Sequence, residues 1–435
     1  MKSQSNLSLN WTNNTKIKTK FIYPKNILSL KKILKKDNLI TTGNQRSYGD
    51  IAINSNCIIS MKKFNKVINF DKKKGVIELQ SGVVLSEILE LIIDNGWFFP
   101  VTPGTKYVSI GGMIANNVHG KKTSRNQMKY YVKEMKLMMQ NKKIIKCSSV
   151  KNKKIFDLTI GGFGLTGVIV SAKIKLKKIN SSLIDQKVIG FNSYDQFFAH
   201  SNEIKKYEYY VSWIQYFDNQ KIKGLSYFGN HSKDKKKYKI KIRDQKLNLF
   251  YYSILKLFTQ NYYCIKILNF FHQLLKSTFY KKTVNLYDYF YPQDKFINWN
   301  KLYGKSGFVQ IQFLIKKNDL INVMGEISAF FKKEKKFSPF VVIKNYNETG
   351  NYLNFVGKGI SISMDMKIDK EFYKVKTFFN NIFIKYGALV NLSKDFISEK
   401  KIFDKNQKYR KFKNDLKSLG QKSKFASNFS ERLGL

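Results

Sequence analysis

The chain has 435 residues, 43% of them hydrophobic and 15% aromatic, which is enough to bury the cores of two or three domains and too apolar for a disordered segment. Its formal net charge is +49, yet only five of its 79 basic residues are arginines and the lysines run along the whole length, so the charge does not describe a base-reading nucleic-acid protein. Such a field instead attracts anions and anionic lipid surfaces, while the widely spaced Cys57, Cys147 and Cys264 exclude a disulfide framework and a CxxC zinc site.

Residues 1–20 are polar and lack the apolar core of a signal peptide, and no run of about 18 uncharged apolar residues occurs. The expectation is a cytoplasmic protein without a membrane span, free to dock peripherally at the inner face of a membrane. Leu39-Thr41 reads as a strand leading into the glycine turn Gly43-Asn44-Gln45-Arg46-Ser47-Tyr48-Gly49-Asp50. Cys57-Ser60 and Val76-Leu79 read as further strands, and Leu85, Ile88, Leu89 and Ile92 recur at helical spacing until Gly96. A second glycine cluster follows, from Pro103-Gly104-Thr105 through Gly111-Gly112 to His119-Gly120. Met135-Met139 and Ile144-Cys147 predict a hairpin, and Gly161-Gly162-Phe163-Gly164-Leu165-Thr166-Gly167 precedes a strand at Val168-Leu176.

Clustered glycines let backbone N–H groups close on an anion such as a pyrophosphate. No GxGxxG opens a βαβ unit and no GxxxxGK[ST] occurs, which disfavours a Rossmann or P-loop domain. From about Ser182 to Ala388, strand-like runs (Tyr209-Gln215, Gly307-Lys316, Gly359-Met366) alternate with helical ones (Leu320-Lys332, Lys370-Tyr386), predicting a sheet flanked by helices. Leu247 to Lys282 is aromatic and aliphatic but interrupted by Lys256, Lys266 and Lys276, which leaves open a pair of core-facing helices or an interfacial amphipathic element.

Arg46-Ser47-Tyr48-Gly49-Asp50, Pro103-Gly104-Thr105, the run from Gly111-Gly112 to His119-Gly120-Lys121 and that from Gly161 to Gly167 together resemble the FAD domain of the vanillyl-alcohol-oxidase-like flavoproteins, the PCMH-type FAD-binding fold. Asn298-Trp299-Asn300, Leu302-Tyr303-Gly304, the run Gly307 to Phe313, Ser393-Lys394-Asp395 and Phe425-Ala426-Ser427 to Arg432-Leu433 carry the resemblance across most of the chain, most weakly over residues 215–285. The resemblance implies an α+β protein with a two-part FAD-binding domain at 1–183, a substrate-binding domain with an antiparallel sheet at 184–388, and a C-terminal segment, 389–435, that returns to the FAD domain.

The same resemblance implies that FAD is lined by Gly43, Asn44, Gln45, Arg46, Ser47, Gly49, Gly104, Thr105, Ser109, Gly112, Asn116, Val118, His119, Gly120, Ile169 and Asn391. Several relatives carry, at the position of Arg46, a histidine bonded to the flavin, so FAD is expected to be held non-covalently here. The family's Gly-Leu-Gly-Arg run reads Gly43-Asn44-Gln45-Arg46, which puts the tightness of that turn in question. Lys394, Tyr48 and His119 are implied to be catalytic, and Lys121, Gln310, Gln312, Lys344, Ser363 and Trp213 to bind substrate. Ser363 stands where a family enzyme has a cysteine facing the flavin, and Ser361 where it has an asparagine.

Oxidising a secondary alcohol needs a hydride acceptor and a group that takes the hydroxyl proton, and a desolvated lysine such as Lys394 can be that base. The members nearest in motif oxidise the C2 hydroxyl of a polyprenyl-phosphate-linked ribofuranose to the 2-keto sugar, the first half of epimerisation to the arabinose form, with a short-chain reductase completing it. An oxidase of a soluble sugar, alditol or aldonolactone is the nearest rival, and an inactive basic membrane- or nucleic-acid-binding protein the second. No nucleic-acid partner and no metal are expected.

Overall fold

The computed structural model describes residues 4–35, 37–233, 249–276, 280–296, 298–350, 352–404, 406–420 and 424–435. β1 (Gln4–Leu9), β2 (Lys16–Ile22), β3 (Leu39–Thr42) and β4 (Cys57–Ser60) form a sheet in the order β1-β2-β4-β3, with α1 (Ile27–Ile33) connecting β2 to β3. β2 and β3 both run parallel to β4, whose four residues are buried. The two N-terminal strands were not expected from the polar composition of residues 1–20. Their stability comes from pairing: β1 is an edge strand antiparallel to β2, whose C-terminal half carries the buried Phe21 and Ile22.

β5 (Val67–Asp71) and β6 (Val76–Gln80) open a second, antiparallel sheet. After α2 (Leu85–Asp94), β7 (Trp97–Phe98) and α3 (Ile110–Ala115), that sheet is completed by β8 (Val132–Met138), β9 (Ile144–Ser148) and, beyond α4 (Lys153–Thr159), β10 (Val168–Lys175), in the order β5-β6-β10-β8-β9. The expected hairpin is the β8–β9 pair, Met135 facing Cys147. α2 buries its i, i+3, i+4, i+7 stripe, Leu85, Ile88, Leu89 and Ile92, against this sheet. The short β11 (Lys177–Lys178) pairs with β7 and leads into the second half of the molecule.

There, β12 (Leu183–Phe191), α5 (Tyr194–Ile204), β13 (Tyr209–Phe217) and β14 (Ile222–His231) are followed by the helices α6 (Leu249–Gln260) and α7 (Tyr262–Lys276) and by β15 (Tyr280–Asn285) and α8 (Leu286–Phe290). The chain continues through β16 (Phe308–Ile315), α9 (Leu320–Lys333), β17 (Val341–Asn347), β18 (Lys358–Lys367), α10 (Phe372–Lys385) and β19 (Leu389–Val390). Among the described residues the strands make one eight-stranded antiparallel sheet, β15-β12-β14-β13-β17-β18-β16-β19. α9 and α10 bury Val323, Ile327, Val375 and Phe379 against one face. The other face looks into a cavity, and the architecture is α+β.

After β19 the chain leaves this sheet. α11 (Gln407–Ser418) and α12 (Asn428–Leu433) pack with Phe21, Ile40, Ile58 and Phe163 in a core made by the first half of the chain. Leu39 N–H donates to Lys424 O at 2.9 Å and Ala426 N–H to Leu39 O at 3.0 Å, so the tail extends the edge of β3. Of the predicted apolar segment Leu247 to Lys282, residues 247, 248 and 277–279 lie outside the described ones. The rest is a helical pair, core-facing on one side only.

Candidate functional site

A cavity of about 940 Å³ lies between the two halves, at the upper end of the roughly 300–1,000 Å³ usual for small-molecule sites. One side is built from the glycine segments. At Gly43 a Cβ would sit 1.8 Å from Ser109 Oγ, so only glycine lets the first segment close on the second. Asn44 Nδ2 donates to Tyr107 O at 2.8 Å across the same junction, and Ser109 caps α3 by accepting from Gly112 N–H. Gln45 takes the place of the family glycine by adopting the left-handed conformation itself, at φ 52°. The turn therefore forms, with the strain that a side chain brings to that region.

Asn44, Arg46, Ser47, Gly104, Thr105, Asn116, Val118, His119, Ile169 and Asn391 line the cavity, with Gly43, Gln45, Ser109 and Gly112. Gly49 and Gly120 do not. A Cβ at Gly49 would meet Asp395 O at 2.0 Å and one at Gly120 would meet Thr102 O at 2.1 Å, so these glycines serve backbone packing behind the wall, a correction to their expected place at the cofactor. Lys106 N–H donates to the buried Asp294 carboxylate at 2.7 Å, anchoring the Pro103–Thr105 loop.

FAD fits what this wall offers. Thr42 Oγ1, Arg46 Nε, Ser81 Oγ and Asn116 Oδ1 are buried polar atoms without a hydrogen-bond partner among the described residues, and all four belong to cavity-lining residues. Native proteins rarely leave such groups unpaired, which marks the cavity as the seat of a polar ligand. Gly104 has open space where a Cβ would stand, and the Arg46 guanidinium lies 3.8 Å over the Trp11 ring rather than presenting a nucleophile.

The opposite wall is the free face of the large sheet, where cross-strand partners share a face. Gln310 pairs with Asp365, Gln312 with Ser363, Lys344 with Ser361, and Trp213 with Val342. These rows place the six expected substrate residues, Lys121 included, around one space. Asp365 was not among them. It is fully buried, accepts from Tyr303 OH at 2.7 Å and from Gln310 Nε2 at 2.6 Å, and so orients Gln310 with Oε1 toward the Lys394 ammonium, which donates to it. Its signal in the sequence is the alternation of Ser361, Ser363 and Asp365 with Ile360, Ile362, Met364 and Met366.

Lys394 Nζ also lies 5.4 Å over the Tyr48 ring. Burial, reinforced by the Lys344 charge and opposed by Asp365, brings Lys394 down to about 7. Burial takes Lys344 to about 8 and, with Lys344 as neighbour, Lys121 to about 7. Asp365 is pushed up to about 6 by burial, against its hydrogen bonds and Lys394. Burial and then the Lys344 and Lys394 charges depress His119 well below its usual value, so it is a neutral imidazole. Its Nε2 is 3.5 Å from Gln312 Nε2, and its ring packs between Tyr346 and Phe355. Tyr48, raised well above 10 by burial and by Asp365, remains a phenol able to donate. Gln312 in turn donates to Ser361 Oγ at 3.1 Å and accepts from Asn391 Nδ2 at 2.8 Å. Among these groups the three lysines and Asp365 change charge near neutrality, while His119 and Tyr48 do not.

Residues 20–148 match the FAD binding domain family. The chain is similar to decaprenylphosphoryl-β-D-ribose oxidase of Mycolicibacterium smegmatis, 26% identical over 373 residues that span 82% of this chain and 80% of that one. It is also similar to D-lactate dehydrogenase of Anaerostipes hadrus (28% identical over 35% of this chain and 34% of that one) and to L-gulonolactone oxidase of Scyliorhinus torazame (26% over 31% and 30%). With FAD as its cofactor, the chain is an FAD-dependent oxidoreductase with a PCMH-type FAD-binding domain, resembling the decaprenylphosphoryl-β-D-ribose oxidase family.

Proposed function

We propose that the enzyme oxidises the C2 hydroxyl of a polyprenyl-phosphate-linked ribofuranose to the 2-keto sugar, the first half of an epimerisation to the arabinose form that a separate reductase completes. The observation that carries this reading is the division of the cavity. Its polar end gathers the Lys121, Lys344 and Lys394 amines against one buried carboxylate, Asp365, a charge imbalance that an anionic sugar ester would neutralise. Its other end, beyond Trp213, is walled by Val211, Tyr227, Val284, Leu255, Ile265 and Leu268, mostly apolar surface suited to a prenyl chain, with Gln186 and Lys282 beside it. The similarity to the Mycolicibacterium oxidase over four fifths of both chains supports the same substrate class.

Bound FAD supplies a two-electron acceptor for the hydrogen at C2. Lys394, as the free amine, takes the hydroxyl proton, while Gln310, fixed by Asp365, holds that amine in place. Tyr48 donates to a sugar oxygen, and neutral His119 with Gln312 orients the ring hydroxyls. Lys121 and Lys344 hold the phosphate. Anaerobic bleaching of the bound flavin by the lipid-linked ribose, with none by soluble aldonolactones, is the expected result. Bleaching by the lactone and not by the lipid-linked sugar would transfer the assignment to a soluble substrate.

A further inference from the structure

We propose that the α6–α7 hairpin is a docking surface for an anionic bilayer, placing the apolar end of the cavity against the acyl region. On α7, Tyr263, Ile267, Phe270 and Phe271 are 72%, 53%, 63% and 55% exposed, and their spacing i, i+4, i+7, i+8 puts them on one outward face. Away from that face, Ile265 is buried and, with Leu268, lines the cavity. On α6, Leu257 and Ile254 point outward while Leu255 and Thr259 line the cavity. Four large apolar side chains exposed side by side on a surface helix are a liability in water unless something covers them.

Charge chooses the cover. Between Leu249 and Tyr287 the sequence has no acidic residue, while Lys256, Lys266, Lys281 and Lys282 are exposed in this region. Lysines around an aromatic and aliphatic face complement anionic headgroups, each contributing about 1 kcal/mol near such a surface. Among the described residues no helix is long and apolar enough to cross a membrane, so the hairpin lies in the interface rather than spanning it. Since α7 separates the outward face from the cavity by one helix diameter, a prenyl chain could pass beneath it without crossing water; this consequence, unlike the docking itself, rests on the lipid-linked-sugar reading.

The test is co-sedimentation of the FAD-loaded enzyme with vesicles of phosphatidylcholine plus phosphatidylglycerol and of phosphatidylcholine alone, with no substrate present, so that it stands apart from the reaction. The wild type is expected to bind the mixed vesicles, less so in high salt and less to the neutral ones. Phe270→Ser/Phe271→Ser is expected to bind about a hundredfold more weakly with its flavin spectrum intact, because two phenyl groups no longer partition. Tyr263→Ser/Ile267→Ser provides an independent second variant. Failure of the wild type to bind, equal binding to both vesicle types, undiminished binding by both double variants, or a wild-type dimer that the variants convert to monomer would each overturn the proposal, the last by assigning the face to a second copy.

Discussion

Lys394 is an ammonium whose surroundings disfavour its charge, and this determines how activity should depend on pH. With its value near 7, the free amine accumulates as pH rises through neutrality, so kcat/KM should climb and then fall as Lys344, at about 8, loses the charge that holds the phosphate. Lys394→Met should lose about 10²- to 10⁴-fold in kcat while retaining the flavin spectrum, and single-turnover reduction would show whether chemistry is the step affected. Asp365 counters the shift in Lys394, so Asp365→Asn should move the acidic limb of the profile to lower pH; a limb that stays in place would remove Asp365 from this role. At the turn, Gln45→Gly should relieve the left-handed side chain and raise stability by about 1 kcal/mol in urea unfolding. The composition of the turn was legible in the sequence as a departure from the family run. That Gln45 would accept the glycine conformation, rather than open the turn, depended on its neighbours Asn44 and Ser109.

At the scale of elements, the C-terminal helix is fastened by one side chain. Arg432 makes a bidentate pair with Asp50 at 2.9 and 3.1 Å, meets Asp395 at 3.1 Å and donates to Ser398 O at 2.6 Å. Asp50 ends the first glycine segment and Asp395 follows Lys394, so the guanidinium joins that segment to Lys394 through α12. Removing it leaves two buried carboxylates facing each other, and Arg432→Met should cost about 3–5 kcal/mol in denaturant unfolding. An unfolding free energy within error of the wild type would show the tail to be held by its apolar contacts alone. α2, β8–β9, β16 and β18 were readable because each repeats one period over several residues. The outward face of α7 was legible only as one of two open readings, since an apolar run interrupted by Lys256, Lys266 and Lys276 fits a core-facing pair as well as an interfacial element.

Across the whole molecule, the lysine cluster sets a relation between pH and stability. Lys121, Lys344 and Lys394 hold folded values of about 7 to 8 against an ordinary 10.5. Between those limits the unfolded chain binds more protons than the folded one, so the stability of the FAD-loaded, substrate-free enzyme should rise as pH rises from about 7 toward 10. Above that the sign reverses, because Tyr48 and Tyr303 are raised well beyond 10 and ionise only when unfolded. Urea midpoints across this range should follow that curve, and a flat profile would mean that the three amines keep their charge. An anion bound among them should flatten the rising limb.

By itself the sequence determined the glycine segments that wall one side of the cavity, because each is a short local run whose chemistry depends on spacing, and it determined most of the strands and helices that repeat a single period. Only the tertiary structure decided that Asp365 stands behind Gln310 and Lys394, that Gly49 and Gly120 pack behind the wall, that three amines from distant segments share one space, and that the tail is pinned by Arg432. Those relations join residues tens to hundreds of positions apart, and the energy that enforces them, burial of charge and close backbone approach, exists only once the two halves of the chain have met.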